Sequence, residues 1–364
     1  MHVAVRTDAA THIGIGHVMR CITLANAFRE KGAKVSFICR PFTGHLGDRI
    51  VAEGHCLHWM PPATQAIKPE MDLEQTPPHV NWLGERWQTD ITQTQIALKG
   101  KQFDWLIVDH YSLDYHWENA MRKFASRIMV IDDLADRLHD CDLLLDQTLD
   151  RNEEKYRDLA PKDCVFFTGS KYALLRPEFS KLREYSLNRR VNFKMEHLLI
   201  GMGGIDQFNS TGLILGALQT SSLPPNCRIT VVMGENAPWL NSVREQVKKL
   251  TWPTEIKINV ENMAQLMADC DLAIGAAGST SWERCCLGVP ALMFVLAENQ
   301  RAIGLALKQK QAVILLNEFK DIKKAVETLC QHPEQLRSMS QASKNITDGS
   351  GLEIILQNLE QLRV

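Results

Sequence analysis

VAVRTDAATHIGIGHVMRCITLANAFREKGAKVSFIC, Val3 to Cys39, reads as strand, glycine-bounded loop, helix and strand. Val3–Val5 is a short β-rich run. Between His17 and Lys31 the apolar residues Cys21, Leu24, Ala25 and Phe28 recur at spacings of three and four, the stripe of an amphipathic helix. Gly32 is placed to end that helix, and Val35–Cys39 resumes extended chain. A strand–helix–strand unit of this kind makes its two strands parallel, with the helix covering one face.

The alternation continues outward. A helix ending near Gly54 and a short strand around Leu57 follow, and Pro61–Pro78, rich in Pro, Gln and charge, reads as a long surface loop. Helix is expected at Thr89–Lys99 and Asp114–Phe124, and strand at Trp105–Asp109, Ile128–Asp132, Leu143–Asp146 and near Val165. The charged segment Arg176–Arg190 reads as a helical linker, after which the pattern restarts at His197–Gly204. Further strands are expected at Thr230–Met233, Ile256–Val260, Leu272–Ile274, Ala291–Phe294 and Val313–Leu315, before a mostly helical tail, Asp321–Val364. At 364 residues the chain exceeds one ordinary core. The expected fold is α/β: two Rossmann-like doubly wound domains, 1–175 and 196–364, joined by a linker at 176–195. The last helix is a candidate to pack back on the N-terminal domain. Such a pair leaves a cleft, and ligands bind beyond the C-terminal strand ends.

A formal net charge of −2, with the two signs mixed along the chain, points to neither nucleic acid nor an anionic membrane as partner. The start, MHVAVRTDAATHIG, lacks the basic and apolar regions of a secretory leader, and no apolar run is long enough to span a bilayer. The ten cysteines include no CxxC pair and are expected to be buried thiols in a reducing, cytoplasmic compartment. The twelve histidines include no HExxH, so no metal site is expected.

Three loops can carry chemistry. GIGHVMRC, Gly14–Cys21, departs from a dinucleotide fingerprint, because Met19 stands at the third glycine position. It leaves a tight turn, with Gly14 and Gly16, feeding a helix start whose amides suit an anion. His17 sits at that start, with Arg20 one turn on. His17 is either a base, kept neutral by the helix end, or a capping or phosphate-contacting histidine. GGIDQFNST, Gly203–Thr211, is either a second anion-friendly loop through Gly203 and Gly204, or a βα turn capped by Asp206 or Asn209. Ala273–Gln300 is the most informative. There Gly278 leads into Ser279 and Thr280 at a helix start, and Glu283 follows one turn on, placed to hold ribose hydroxyls or to serve as a surface carboxylate. Trp282, Cys285 and Cys286 occupy another face, toward the core. Asn299 and Gln300 follow the next strand. Asp109, His110 and Tyr111 end a strand and either touch a sugar or cap the next helix; Met233 and Met263 complete the candidate substrate contacts. Asp132 and Asp133 are adjacent, point opposite ways and suit a turn.

GIGHVMRC, VDHY (Val108–Tyr111), IDDLAD (Ile131–Asp136), YALLRPEF (Tyr172–Phe179), GGID (Gly203–Asp206), GSTSWERCCLGVP (Gly278–Pro290) and the later NQ occur in this order. Together they resemble the UDP-2,4-diacetamido-2,4,6-trideoxy-β-L-altropyranose hydrolases of pseudaminic acid biosynthesis, over nearly the whole chain. That family is related in fold to the UDP-N-acetylglucosamine transferase of peptidoglycan synthesis, a GT-B enzyme. The resemblance implies inverting hydrolysis of the anomeric C–O bond to UDP and free sugar, without metal or other cofactor, serving flagellin glycosylation; a monomer is expected, although the sequence does not encode oligomeric state. The resemblance also implies His17 as the catalytic histidine, Gly278, Ser279, Thr280 and Glu283 as nucleotide contacts and Asn299 as a ligand amide. Asp146 departs from the family's expected pattern. UDP is a good leaving group, so a base for water and positive potential on the diphosphate suffice. The competing readings are a GT-B glycosyltransferase using a UDP-N-acetylated sugar and a catalytically silent UDP-sugar binding protein. A dehydrogenase is disfavoured by the incomplete fingerprint.

Overall fold

The computed structural model describes residues 1–64, 79–191 and 194–362. Most of the expected loop Pro61–Pro78 lies outside the described residues. The chain divides into two compact units, Met1–Leu174 with the C-terminal helix, and Leu175–Ser350.

The first unit contains β1 (His2–Thr7), α1 (Gly16–Glu30), β2 (Lys34–Cys39), α2 (Gly47–Ala52), β3 (Cys56–Trp59), α3 (Trp87–Leu98), β4 (Phe103–Asp109), α4 (Tyr115–Met121), β5 (Ala125–Ile131), β6 (Leu143–Asp146) and β7 (Val165–Thr168). The seven strands form one parallel sheet in the order β3-β2-β1-β4-β5-β6-β7. Side chains alternate faces along each strand. Val3, Val5, Trp105 and Ile107 therefore join one core with Leu24 and Phe28 of α1. Ala4, Leu106 and Val108 join the core on the other face with Trp117 of α4. Each large apolar side chain so buried contributes about 1.5–3 kcal/mol. The α1 stripe read from spacing is buried throughout: Cys21, Leu24, Ala25 and Phe28 are each 1% exposed or less. Gly32, at φ +80°, ends the helix with its N–H donated to the Arg29 carbonyl.

The second unit contains α5 (Pro177–Arg189), β8 (His197–Gly201), α6 (Ser210–Leu218), β9 (Arg228–Met233), α7 (Leu240–Val247), β10 (Thr254–Ile258), α8 (Met263–Asp269), β11 (Leu272–Ala276), α9 (Thr280–Cys286), β12 (Ala291–Phe294), α10 (Arg301–Gln309), β13 (Val313–Leu315), α11 (Asp321–Gln331) and α12 (Pro333–Lys344). Its six strands are also parallel, in the order β10-β9-β8-β11-β12-β13. The segment read as a linker is α5, an integral helix of this unit. Ser186 donates to the Leu287 carbonyl at 2.7 Å, and Arg183 reaches the Lys344 carbonyl at 2.7 Å.

The last helix, α13 (Gly351–Gln361), belongs to the first unit. Its Leu352, Ile355, Leu356 and Leu359 enter the core beside α1, and Lys31 pairs with Glu360 at 2.8 Å. All ten cysteines are free, and eight of them are buried. No helix among the described residues is long and apolar enough to cross a membrane.

Candidate functional site

Both sheets share one feature: the first strand of each, β1 or β8, lies between the next strand and a later one. At that point the strand order reverses, and a crevice opens beyond the strand ends. In the first unit Thr7 at the end of β1 is in register with Asp109 at the end of β4. The loop leaving β1 turns at Gly14, φ +87°, and starts α1. His17 and Arg20, one turn apart on α1, thereby reach Asp109.

The contacts are close. His17 Nδ1 lies 2.6 Å from Asp109 Oδ1. Arg20 grips the same carboxylate with both edges of its fork, Nε to Oδ2 at 2.6 Å and Nη2 to Oδ1 at 2.7 Å. Arg20 Nη1 continues to Asp133 Oδ2 at 2.9 Å, and the Tyr111 hydroxyl donates to Asp133 Oδ1. Burial by itself would raise the Asp109 pKa; the Arg20 charge, then His17, outweigh it and hold the carboxyl well below its ordinary value. An ionised carboxylate only accepts, so His17 carries its proton on Nδ1. Arg20 Nη2 also approaches that nitrogen, at 3.3 Å, but is directed to Asp109. None of the described residues hydrogen-bonds His17 Nε2.

Aromatic rings surround the imidazole. Tyr111 meets it edge-on at 4.6 Å between centroids and Trp82 at 6.1 Å, while Trp82 stacks on Tyr111 at 5.4 Å. His79 lies 4.5 Å from the Trp82 ring, and burial lowers its pKa. Ile15, at the start of α1, provides no side-chain cap, so the first amides of the helix are not taken up by one.

His110 points away from this group. Its Nε2 lies 3.4 Å from Asp8, within a fully buried network in which Asp90 receives Arg6 at 2.8 Å, Arg40 at 2.9 Å and Trp117 Nε1 at 2.9 Å. The next helix is capped by Asp114, which accepts from the His116 N–H at 3.0 Å, not by residues 109–111.

In the second unit the Gly203–Thr211 loop contains the Asp206 cap that one of its two readings expects. Gly203 turns at φ +96°, and the Asp206 carboxylate accepts from the Ser210 and Thr211 amides at 2.8 Å each. The Ser210 and Thr211 amides at the start of α6 are thus taken up by the chain's own carboxylate. Gly204 is tied by its carbonyl to the Gly234 N–H at 2.9 Å. Ser279 and Thr280 are exposed at the start of α9. Glu283 is half-buried, and Arg176 approaches its Oε1 to 3.7 Å; burial raises its pKa. Trp282, Cys285 and Cys286 face the core. Asn299 is exposed, whereas Gln300 braces its own loop by accepting from the Leu296 N–H at 2.9 Å. Met263 is half-buried. Met233 is 2% exposed, its side chain packed within the core.

Trp82 and His79 join the His17 group without having been singled out from sequence, and Asp133, read there only as a turn residue, joins it through Arg20 and Tyr111. Asp133 had one usable signal: it follows a buried strand, as Asp109 does. Trp82 and His79 had none, since a single 3-10 turn, Val80–Leu83 with His79 at its start, leaves no periodic pattern. The adjacent Asp132 does point the opposite way, accepting from the Ala135 N–H at 2.9 Å in a turn.

Comparison with known proteins bears on this geometry. Residues 203–352 match the C-terminal domain of glycosyltransferase family 28. The chain is 26% identical over 311 residues to the UDP-2,4-diacetamido-2,4,6-trideoxy-beta-L-altropyranose hydrolase of Campylobacter jejuni, covering 85% of this chain and 97% of that one. It is also 26% identical over 306 residues to an uncharacterized protein of Methanocaldococcus jannaschii; this covers 83% of the chain but only 57% of the archaeal protein, so the chain spans little more than half of that relative's length. The crystal structure of MurG from Acinetobacter baumannii aligns with a TM-score of 0.67 at 14% identity, over 99% of both chains. The chain therefore has the GT-B fold, and its residues 203–352 are similar to the C-terminal domain of glycosyltransferase family 28.

Proposed function

We propose that this protein hydrolyses the anomeric C–O bond of UDP-2,4-diacetamido-2,4,6-trideoxy-β-L-altropyranose, with inversion, releasing UDP and the free sugar. The observation that carries this reading is the His17–Asp109 pair, 2.6 Å apart, with Nε2 of His17 left open. Water attacks C1 from the face opposite UDP, His17 Nε2 takes its proton, and the C1–O bond breaks with its electron pair on the diphosphate. Asp109 holds the required tautomer and stabilises the imidazolium that forms. UDP departs without a general acid, which relaxes the two-carboxylate demand of ordinary glycosidases. Gly14, Gly16, Arg20, Asp109 and Tyr111 shape the His17 side. Gly278, Ser279, Thr280, Glu283 and Asn299 are assigned to the nucleotide. No metal takes part, and the enzyme is assigned to the cytoplasm and to pseudaminic acid biosynthesis.

The match to a glycosyltransferase domain favours one second reading, transfer of the sugar to an acceptor. Proton NMR of the purified protein with the proposed UDP-sugar, without acceptor, separates the two. Hydrolysis gives stoichiometric UDP and free sugar of inverted anomeric configuration; a transferase leaves the substrate intact.

A further inference from the structure

The second unit holds a buried cation that this chemistry does not use. Arg284, on α9, is 4% exposed. Its Nη2 donates to the Ala276 carbonyl at 2.8 Å and to Ser281 Oγ at 3.1 Å, both neutral acceptors. Its Nε has no hydrogen-bond partner. Among the described residues it forms no ion pair. The adjacent carboxylate, Glu283, pairs instead with Arg176, which also holds Glu178 at 3.0 Å.

Two glycines set the place of this guanidinium. Gly201 on β8 and Gly275 on β11 are in register. A Cβ on Gly275 would stand 2.4 Å from Arg284 Nη1 and 3.0 Å from the Gly201 carbonyl oxygen. The absence of a side chain at 275 lets the charge sit against the ends of β8 and β11. These are the strands at which the order of the second sheet reverses. The loops that leave them, Met202–Gly204 and Ala277–Ser279, border the crevice of that sheet.

A buried charge without a counter-ion is costly, and an arriving anion offsets the cost. Burial lowers the Arg284 pKa, and Cys285, Glu283 and Cys270 offset only part of that. We propose that Arg284 is a positioning residue for the diphosphate of the nucleotide ligand: through Ala276 and Ser281 it sets the Gly275–Ser281 loop, and its charge, held in no ion pair, is the counter-charge to the phosphates. The proposal rests on the UDP-sugar reading and specifies how one unit recognises the nucleotide.

The test is titration calorimetry of UDP, uridine and inorganic pyrophosphate with the full chain, its Arg284→Lys variant and its Arg284→Met variant. Arg284→Met should weaken UDP and pyrophosphate about tenfold or more and leave uridine within about twofold, with Arg284→Lys recovering most of the loss. A purely structural arginine would weaken uridine as much as UDP, and lysine would not rescue it; that result, or unchanged UDP affinity in Arg284→Met, overturns the proposal. Should the full chain bind pyrophosphate but no UDP, the UDP-sugar reading fails while the pyrophosphate series still decides the role of Arg284.

Discussion

His17 Nδ1 and Asp109 Oδ1 lie 2.6 Å apart across 92 residues of sequence. The pairing gives a histidine at a helix start a defined tautomer, as the proposed base requires. It also makes Asp109 a shared residue, since Arg20 binds both of its oxygens.

His17→Ala should retain UDP binding and lose about 10²–10⁴-fold in kcat. Steady-state hydrolysis and UDP titration on the same preparation measure both. Turnover near that of the unaltered protein would remove His17 from the reaction.

Asp109→Asn keeps the shape of the site but replaces a carboxylate with an amide that can donate to Nδ1 and favour the wrong tautomer. A fall in kcat of up to about 10⁴-fold is expected, with substrate KM little changed. Nitrogen NMR of the imidazole should show the proton moving from Nδ1 to Nε2. A lost rate with the tautomer unaltered would mean that Asp109 acts only by holding Arg20.

Asp90→Ala leaves Arg6 and Arg40 buried without the carboxylate they share; all three side chains are fully buried. The expected loss is about 3–5 kcal/mol in denaturant unfolding. A loss below about 1 kcal/mol would show that Asp8, 2.7 Å from Arg6, and the Pro61 carbonyl, 2.7 Å from Arg40, suffice for the two arginines.

His139 donates toward Glu118 at 2.8 Å and lies 3.8 Å from Asp132, with no exposure. Burial opposes its charge, but the two carboxylates prevail and raise its pKa from 6.5 to about 9. A group whose folded pKa is raised binds more protons folded than unfolded. Its contribution is complete below the unfolded value and is lost as pH rises through the folded one. Urea unfolding between pH ~6 and ~10 should therefore show stability falling faster in the unaltered protein than in His139→Gln. Parallel curves would rule this out.

Asp206→Ala removes the carboxylate that caps α6. A loss of about 0.5–2 kcal/mol in thermal or denaturant unfolding is expected. If phosphate or UDP then binds at the freed helix start, difference titrations against the unaltered protein will show a new site.

The sequence by itself determined the alternation of strands and helices, the buried stripe of α1 and the stop at Gly32. These follow from local periodicities that backbone geometry imposes. It also placed His17 and Asp109 at the ends of elements where ligands bind. Only the tertiary structure decided that they meet, because that depends on β1 and β4 being neighbours with Thr7 opposite Asp109. The same holds for Asp133, joined to the site through Arg20, and for Asp206, whose carboxylate could have faced a ligand or its own helix. It holds too for α5, which spacing presents as a charged linker but whose Ser186 and Arg183 tie it to the second unit. Strand order and long-range hydrogen bonds settle such choices, and residue spacing carries neither.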